Sequence, residues 1–445
     1  MTVGITGATA TDIADSVRTL VDRGDLAAGE ALPPVRVLAQ TLGVNRNTVM
    51  AAYRHLTQAG VTVARGRGGT RIADRTPVAQ EGYALDSILR DVGTGNPDPD
   101  RIPDLSTALA SVAGRPVLYG EPVVDRDLEA WARAWIAEDL TADLPLRITV
   151  TSGAADAVER LLAQALTRDD AVGLEDPCFL ASIHTVRLGG YRPVAIPVDD
   201  EGMTVDGRRA ALADGIRALV CTPRAQNPTG ASLSAQRAAE LRAVLDEHPY
   251  VLVIEDDHFA MLSRTPLHSL ISPARRRWAL VRSVSKFLGP DMCLALTASD
   301  PHTAERLSMR LTPGTTWVSH LLQRLTLALV TDAAAMAAVR EAGHHYANRN
   351  EAFSRRLTEL GLPTRAGDGL NLWVRVGGPA REVAAQLMRR GWLARPGDEF
   401  VLEDEDAAHH LRLTVHDLSD ADAEHLARDI AAAVGSATPE FAAMG

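Results

Sequence analysis

Apolar positions recur at helical spacing three times within the first 60 residues. In "TDIADSVRTLVDR", Ile13, Val17, Leu20 and Val21 fall on one face, and the spacing predicts a helix over residues 11–23. A Gly-rich turn follows, then "LPPVRVLAQTLG", which places Val35, Leu38, Ala39 and Leu42 together on a second helix. In "VNRNTVMAAYRHLTQAG", Asn45 is the cap, Val49, Ala52, Tyr53 and Leu56 form the buried stripe, and Gly60 is the stop. Two short β-rich runs around a Gly/Arg tip, "VTVARGRGGTRIAD", read as a hairpin. Three helices and a hairpin within residues 1–75 have the layout of a winged helix-turn-helix domain.

Residues 76–104 are rich in Pro, Gly and Asp and carry little periodicity, which reads as a linker running into a loop. From about residue 120 the period changes. Apolar runs of β type ("RITVTSG", "AVGLEDP", "RPVAIPV", "ALVCTP", "VLVIEDD", "WALVRSVS") alternate with Ala/Leu/Arg-rich helical stretches. This predicts an α/β body over residues 105–445. Its large lobe, about 120–330, is built on a mainly parallel sheet. A smaller α+β lobe, about 335–445, is built around "LNLWVRV" and "LRLTVHDL".

Charge divides the chain in the same way. Residues 1–75 hold nine arginines against six acids, inside a chain of net charge −11. A basic head on an acidic body points to an anionic partner for the head alone. A helix-turn-helix reader puts the start of its third helix into the DNA major groove, and Arg46, Asn47 and Thr48 stand there. Arg and Asn make bidentate bonds to guanine and adenine edges. Arg36 opens the second helix, where a phosphate contact is expected, and Arg65, Arg67 and Arg71 line the wing. The plain alternative, a helical module with solvated arginines, explains the charge but not the combination of layout, wing and local basicity.

Composition adds one anomaly. Lysine and arginine together number 46, and Lys286 is the one lysine among them. Arginine stays protonated in proteins, whereas lysine becomes a nucleophilic amine when it loses its proton. A site that needs a free amine cannot take arginine, although a chance survivor of codon bias is the simpler alternative. The three cysteines, Cys178, Cys221 and Cys293, have no metal spacing and an odd count. With no secretory leader or apolar run of membrane-spanning length visible, a reduced cytoplasm is the expected compartment.

A lysine that carries an aldehyde cofactor needs company, and candidates lie at predicted strand ends. "VLVIEDDH" supplies Glu255, Asp256 and Asp257, of which an acid can pair with a pyridine nitrogen. "TVTSGAADAV" is strand, Ser-Gly turn and helix, and the N–H groups of Gly153, Ala154 and Ala155 can face a phosphate. Ser283 and Ser285 add hydroxyls, Asn227 in "AQNPTG" can donate to a phenolic oxygen, and Arg412 in "LRLTV" can clamp a carboxylate. Taken singly, each has a structural explanation as a turn or cap.

Taken in order, "SGAADAV", "EDPCF", "RAQNPTG", "EDDH", "SVSKFLGP" and "LRLTV" resemble the fold-type I pyridoxal-phosphate aminotransferases over some 320 residues. "ALPPVRVLAQTLGVNRNTVMAAYRHLTQAG" resembles the DNA-binding domain of GntR-type regulators, with Asn45 where serine is usual. Joined, the two resemble the MocR-type regulators. The resemblance implies DNA contacts by Arg36, Arg46 and the wing arginines. It implies pyridoxal 5'-phosphate (PLP) bound as a Schiff base on Lys286, with Asp256 on the pyridine nitrogen, Asn227 on the ring O3′ and Phe179 stacked on the ring. Gly153, Ala154, Ser283 and Ser285 then hold the phosphate, Tyr119 reaches it from the partner subunit of a homodimer, and Arg412 binds a ligand carboxylate. The sequence departs from the pattern twice. His258 stands where tyrosine is usual, and Cys293 where an arginine pairs with the phosphate. Arg310 is a candidate substitute, and a small buried strand residue is the plain reading of Cys293.

The leading expectation is a DNA-binding regulator that senses PLP, or an amine or amino acid exchanging onto it. The alternatives are a working aminotransferase with a retained head, and a regulator that has lost tight cofactor binding.

Overall fold

The computed structural model describes residues 4–58, 61–64, 69–72, 82, 87–112, 114, 116–140, 144–311 and 317–437. The chain forms two compact units, the first holding residues 1–80 and the second the bulk of the remainder.

In the head, α1 (Ala10–Arg23), α2 (Val35–Leu42) and α3 (Arg46–Gln58) precede a hairpin of β1 (Thr62–Ala64) and β2 (Thr70–Ile72). Thr9 and Asp12 close a reciprocal capping box on α1, and Gly24 ends it in the left-handed conformation. Asn45 Oδ1 accepts the Asn47 N–H at 2.8 Å, so the expected cap of α3 forms. Ile13 and Val17 pack with Leu38, Ala39, Val49, Ala52, Tyr53 and Leu56 in one core, as the spacing predicts. Gly60, the expected stop, lies outside the described residues.

The body is built on an eight-stranded sheet. Its strands are β4 (Arg147–Thr151), β5 (Ala171–Asp176), β6 (Arg192–Asp199), β7 (Gly202–Met203), β8 (Ile216–Cys221), β9 (Leu252–Asp256), β10 (Trp278–Ser283) and β11 (Ala295–Ser299), preceded in the chain by β3 (Arg90–Asp91). The order across the sheet is β4-β11-β10-β9-β8-β5-β6-β7. β5, β8, β9 and β10 run parallel, and β5, β9 and β10 are buried along their whole length, as a sheet covered on both faces requires. β11 is antiparallel to both β10 and β4, so β4 points the same way as β10. The carboxyl ends of β4, β8, β9 and β10 therefore share one edge of the sheet with that of β5, where ligands of open α/β sheets sit.

The smaller lobe carries an antiparallel sheet of β12 (Asn371–Arg375), β15 (His410–Thr414) and β14 (Arg395–Pro396). β13 (Trp392–Leu393) pairs in parallel with β3. Part of the stretch read as a linker is thus docked on the body: Val92 N–H donates to Leu393 and Val92 O accepts from Thr414 N–H. Among the described residues no single helix is long and apolar enough to cross a membrane.

Candidate functional site

The chain segments that leave these strand ends carry the residues expected to hold a cofactor. Lys286 lies in a one-turn helix (Ser285–Leu288) directly after β10. The cleft beside it is lined by Asn227 and His258 from the sheet side and by Gly369, Leu370 and Asn371 from the smaller lobe. Lys286 Nζ donates to the Gly95 carbonyl at 2.6 Å.

The three acids at the end of β9 do different jobs, because alternate residues of a strand face opposite sides. Glu255 is fully buried and accepts from Ser269 Oγ and the Leu270 N–H. Asp257 is fully buried and accepts Arg224 Nε and Nη2 at 2.8 Å each, and Arg282 Nε at 2.9 Å. Arg282 also bonds Asp139 and lies over the Trp135 ring. Burial alone would raise the Asp257 carboxyl, but these guanidinium bonds hold it below its ordinary value. Asp256 is different. Its Oδ1 is buried and has no hydrogen-bond partner among the described residues. Burial, reinforced by the Asp257 charge and opposed by the Lys286 ammonium, pushes Asp256 up to about 7. An unsatisfied buried oxygen of this kind costs about 1–3 kcal/mol, which a bound N–H donor recovers.

Gly153 caps the helix Ala154–Ala165 with φ +93° and open space around its Cα, and no side chain caps the helix there. Ser283 Oγ donates to Ser285 Oγ at 3.0 Å and accepts the Ser285 N–H, so both hydroxyls adjoin Lys286. Cys293 lies at this corner too. It is exposed, precedes β11, adopts φ +40°, and its Sγ is 3.5 Å from the Ser152 carbonyl. It is therefore not the small buried strand residue of the plain reading. In the first turn of the same helix, Asp156 takes the Ser152 N–H and pairs with Arg160 at 2.6 Å. Among the described residues, Arg310 meets this group through its carbonyl, 3.4 Å from Arg160 Nη1; the guanidinium tied to that first turn is that of Arg160.

Arg412, fully buried on β15, donates to Asn227 Oδ1 at 3.2 Å and to the Gly93 carbonyl at 2.6 Å, with its guanidinium over the Phe400 ring. Phe179 is half-buried in the turn after β5. Tyr119 is 89% exposed beside Trp317, with ring centroids 5.4 Å apart. Among the described residues, no contact brings Tyr119 to Lys286.

Several residues that build the site were not singled out from the sequence. Arg224, Arg282 and Asp139 fix Asp257. Asp176 accepts the N–H groups of Leu402, Glu403 and Asp404 and so holds a small-lobe loop against the end of β5. Glu175 accepts from the Thr222 N–H and Gln226 Nε2 beneath the Asn227 turn. Glu175 yields a test. Burial pushes it up to about 8, against the pull of those bonds and of Arg208. The folded state keeps this proton between the ordinary 4.5 and about 8, where the unfolded chain has lost it, so its contribution to stability falls as pH rises through that window. Glu175→Gln is expected to flatten the decline between pH 5 and 8 in urea titrations; an unchanged slope contradicts the assignment.

In the head, Arg36, Arg46 and Asn47 are exposed and Thr48 is half-buried, at the starts of α2 and α3. Arg71 donates to the Gly29 carbonyl at 2.9 Å, so this wing arginine braces the head. Arg65 and Arg67 lie outside the described residues.

A helix-turn-helix head on a body with this strand-end constellation defines a transcription regulator with an aminotransferase-type effector domain. The chain belongs to the MocR-type regulators: residues 9–72 match the family described as "Bacterial regulatory proteins, gntR family" and residues 90–430 match "Aminotransferase class I and II". It is 44% identical over 427 residues to the "Vitamin B6 salvage pathway transcriptional repressor PtsJ" of Salmonella typhimurium, covering 96% of this chain and 98% of that protein. It is 28% identical to the "HTH-type pyridoxine biosynthesis transcriptional regulator PdxR" of Corynebacterium glutamicum, over 67% of this chain and 68% of that one. The crystal structure of a multiple substrate aminotransferase from Thermococcus profundus superposes with a TM-score of 0.70 at 19% identity, covering 79% of this chain and 92% of that one, which shows the fold.

The cofactor that such a body implies is PLP. The residues fit it: a buried carboxylate oxygen without a partner among the described residues for a pyridine N–H, a glycine-capped helix start after β4 for a phosphate, and a lysine with two serine hydroxyls next to it in the chain.

Proposed function

We propose that this regulator binds PLP on Lys286 and that ligand occupancy of the body sets the affinity of the head for DNA. The observation that carries the reading is Asp256 Oδ1, buried near the one lysine of the chain and without a hydrogen-bond partner among the described residues. Bound PLP supplies an electrophilic carbon and a pyridine ring that withdraws electrons. Asp256 then keeps the ring nitrogen protonated and regains a charged partner. Asn227 and His258 donate toward O3′, and Phe179 lies against the ring. The N–H groups of Gly153, Ala154 and Ala155, with Ser283 and Ser285, hold the phosphate. Arg412 takes the carboxylate of an amino-acid ligand.

A homodimer completes the site, with Tyr119 reaching the partner's phosphate. Leu109, Leu118, Tyr119 and Val123, each more than 40% exposed within 15 residues, support such an interface. Two heads then read two half-sites. Arg46 and Asn47 meet base edges, and Arg36, Arg65 and Arg67 meet phosphates. The effector is PLP itself or an amine or amino acid that exchanges onto it, in keeping with the vitamin B6 themes in the names of its relatives. The protein acts in the cytoplasm, on the nucleoid.

Arg46→Ala is expected to weaken operator binding by about 1–3 kcal/mol while leaving non-specific binding nearly unchanged. Fluorescence anisotropy on operator and scrambled duplexes checks this, and an equal loss on both contradicts base reading by Arg46. Transamination is the competing reading, since Lys286 retains a base's position. Fast ketoacid production without DNA affinity would overturn the regulator.

A further inference from the structure

Helix α3 buries Val49, Ala52, Tyr53 and Leu56 in the core of the head. Its opposite face carries Arg46, Asn47, Met50 and Arg54, all exposed. Met50 is three residues from Asn47 and four from both Arg46 and Arg54, so the four share one stripe of the helix. Within that stripe Met50 is apolar where its neighbours carry a charge or an amide, and it is 47% exposed. Among the described residues of the head, the other large apolar side chain left exposed is Val37. Val37 stands beside Arg36 on α2, and the first helix of a helix-turn-helix pair crosses the phosphate backbone instead of entering the groove. Met50 is on the helix that enters. A single exposed apolar residue needs no explanation on a solvated surface. This one lies one turn beyond Arg46, about 6 Å along the axis, on the face that a reader lays against the bases.

The major groove limits what such a side chain can meet. Every base edge there presents hydrogen-bond donors or acceptors, and thymine adds the one apolar group, its 5-methyl. The methionine thioether is a weak acceptor and has no donor. Over a guanine, adenine or cytosine edge it strips water from polar atoms and returns no bond, which costs affinity. Over a thymine methyl, two apolar surfaces leave water together, and that is favourable. Three rotatable bonds let the chain adjust its reach. We propose that Met50 reads the 5-methyl group of a thymine in the operator, about two base pairs from the base read by Arg46. The proposal rests on the reading of α3 as the helix that enters the major groove. It adds to Arg46 and Asn47, which recognise by hydrogen bonds, a contact that separates the two pyrimidines. A cytosine at that position lacks the methyl and turns an N4–H donor toward a side chain that accepts poorly.

The test uses the full-length protein and an operator duplex selected with it. Each thymine is replaced in turn by deoxyuridine, which removes the methyl and leaves every hydrogen-bonding group in place, and affinity is followed by fluorescence anisotropy. One thymine, within about two base pairs of the base where Arg46→Ala abolishes discrimination, is expected to lose about fourfold in affinity on conversion, the size of one buried methyl group. In Met50→Ala the thymine and deoxyuridine duplexes should bind alike. A wild type that binds every deoxyuridine duplex as tightly as the parent overturns the proposal and leaves base reading by Arg46 standing. The same loss in Met50→Ala overturns it as well, because another group then reads the methyl. A wild type with no preference for operator over scrambled duplex overturns the reading of α3 itself, and the role of Met50 with it. The scan on the wild type decides the question even where the variant fails to fold.

Discussion

Lys286→Ala is expected to abolish covalent capture of PLP. In the wild-type protein, added PLP should give a visible absorbance band, and borohydride should fix the cofactor to the chain. In the variant both signals should be absent, leaving only non-covalent binding. The effect is chemical. Lys286 is half-buried in a one-turn helix, and removing its side chain takes away the ammonium that opposes the rise of Asp256, so that carboxyl moves further toward its neutral form. Lys286→Arg sharpens the test. Arginine keeps the positive charge beside Asp256 but stays protonated and cannot condense with an aldehyde. It should behave as the alanine variant does in the borohydride experiment. Fixation of cofactor in either variant would mean that another group carries it.

The second large effect separates two adjacent acids. Asp257→Ala strands Arg224 and Arg282, both nearly or fully buried, opposite an empty space. Removing one partner of a buried ion network costs about 3–5 kcal/mol, because the remaining charge stays desolvated. Denaturant titration should show that loss. Asp256→Asn should cost little or nothing in the ligand-free protein, since its carboxyl is already pushed up to about 7 and its Oδ1 has no partner among the described residues. In PLP affinity the order reverses. Asp256→Asn loses a charge-assisted bond, about 1.5–3 kcal/mol or roughly 10–100-fold. If Asp256→Asn destabilises the ligand-free protein as much as Asp257→Ala does, the division of labour is wrong.

That pair also shows where the sequence stops speaking. "VLVIEDD" marks a buried strand with acids at its carboxyl end, and the strand and its position are as read. Which acid faces the cofactor is a matter of side-chain parity and of partners brought from Arg224, Arg282 and Asp139, far off in sequence. The same limit applies to residues 87–96. Pro, Gly and Asp give a docked segment and a free linker the same composition. The two-residue β3 has no period to detect, and the groups that touch Lys286 and Arg412 are main-chain carbonyls, which no side-chain pattern encodes. β11 went unread because five residues, beginning two after Cys293, offer too little alternation. By contrast, α1 to α3 and the strands β4, β5, β8, β9 and β10 were legible, because long apolar faces and continuous apolar runs carry their own burial. Cys293 falls between. The sequence raised the absence of an arginine there, and the structure sets the cysteine beside Ser152, at the corner assigned to the phosphate.

In the proposed function, ligand on Lys286 controls the grip of the head on DNA. The most direct measurement is operator affinity, by anisotropy on duplexes selected with the full-length protein, as PLP is titrated into wild type and Lys286→Ala. A shift of at least fivefold is expected in the wild type and none in the variant. An equal shift in both, or no shift in a wild type whose absorbance shows bound cofactor, would contradict it.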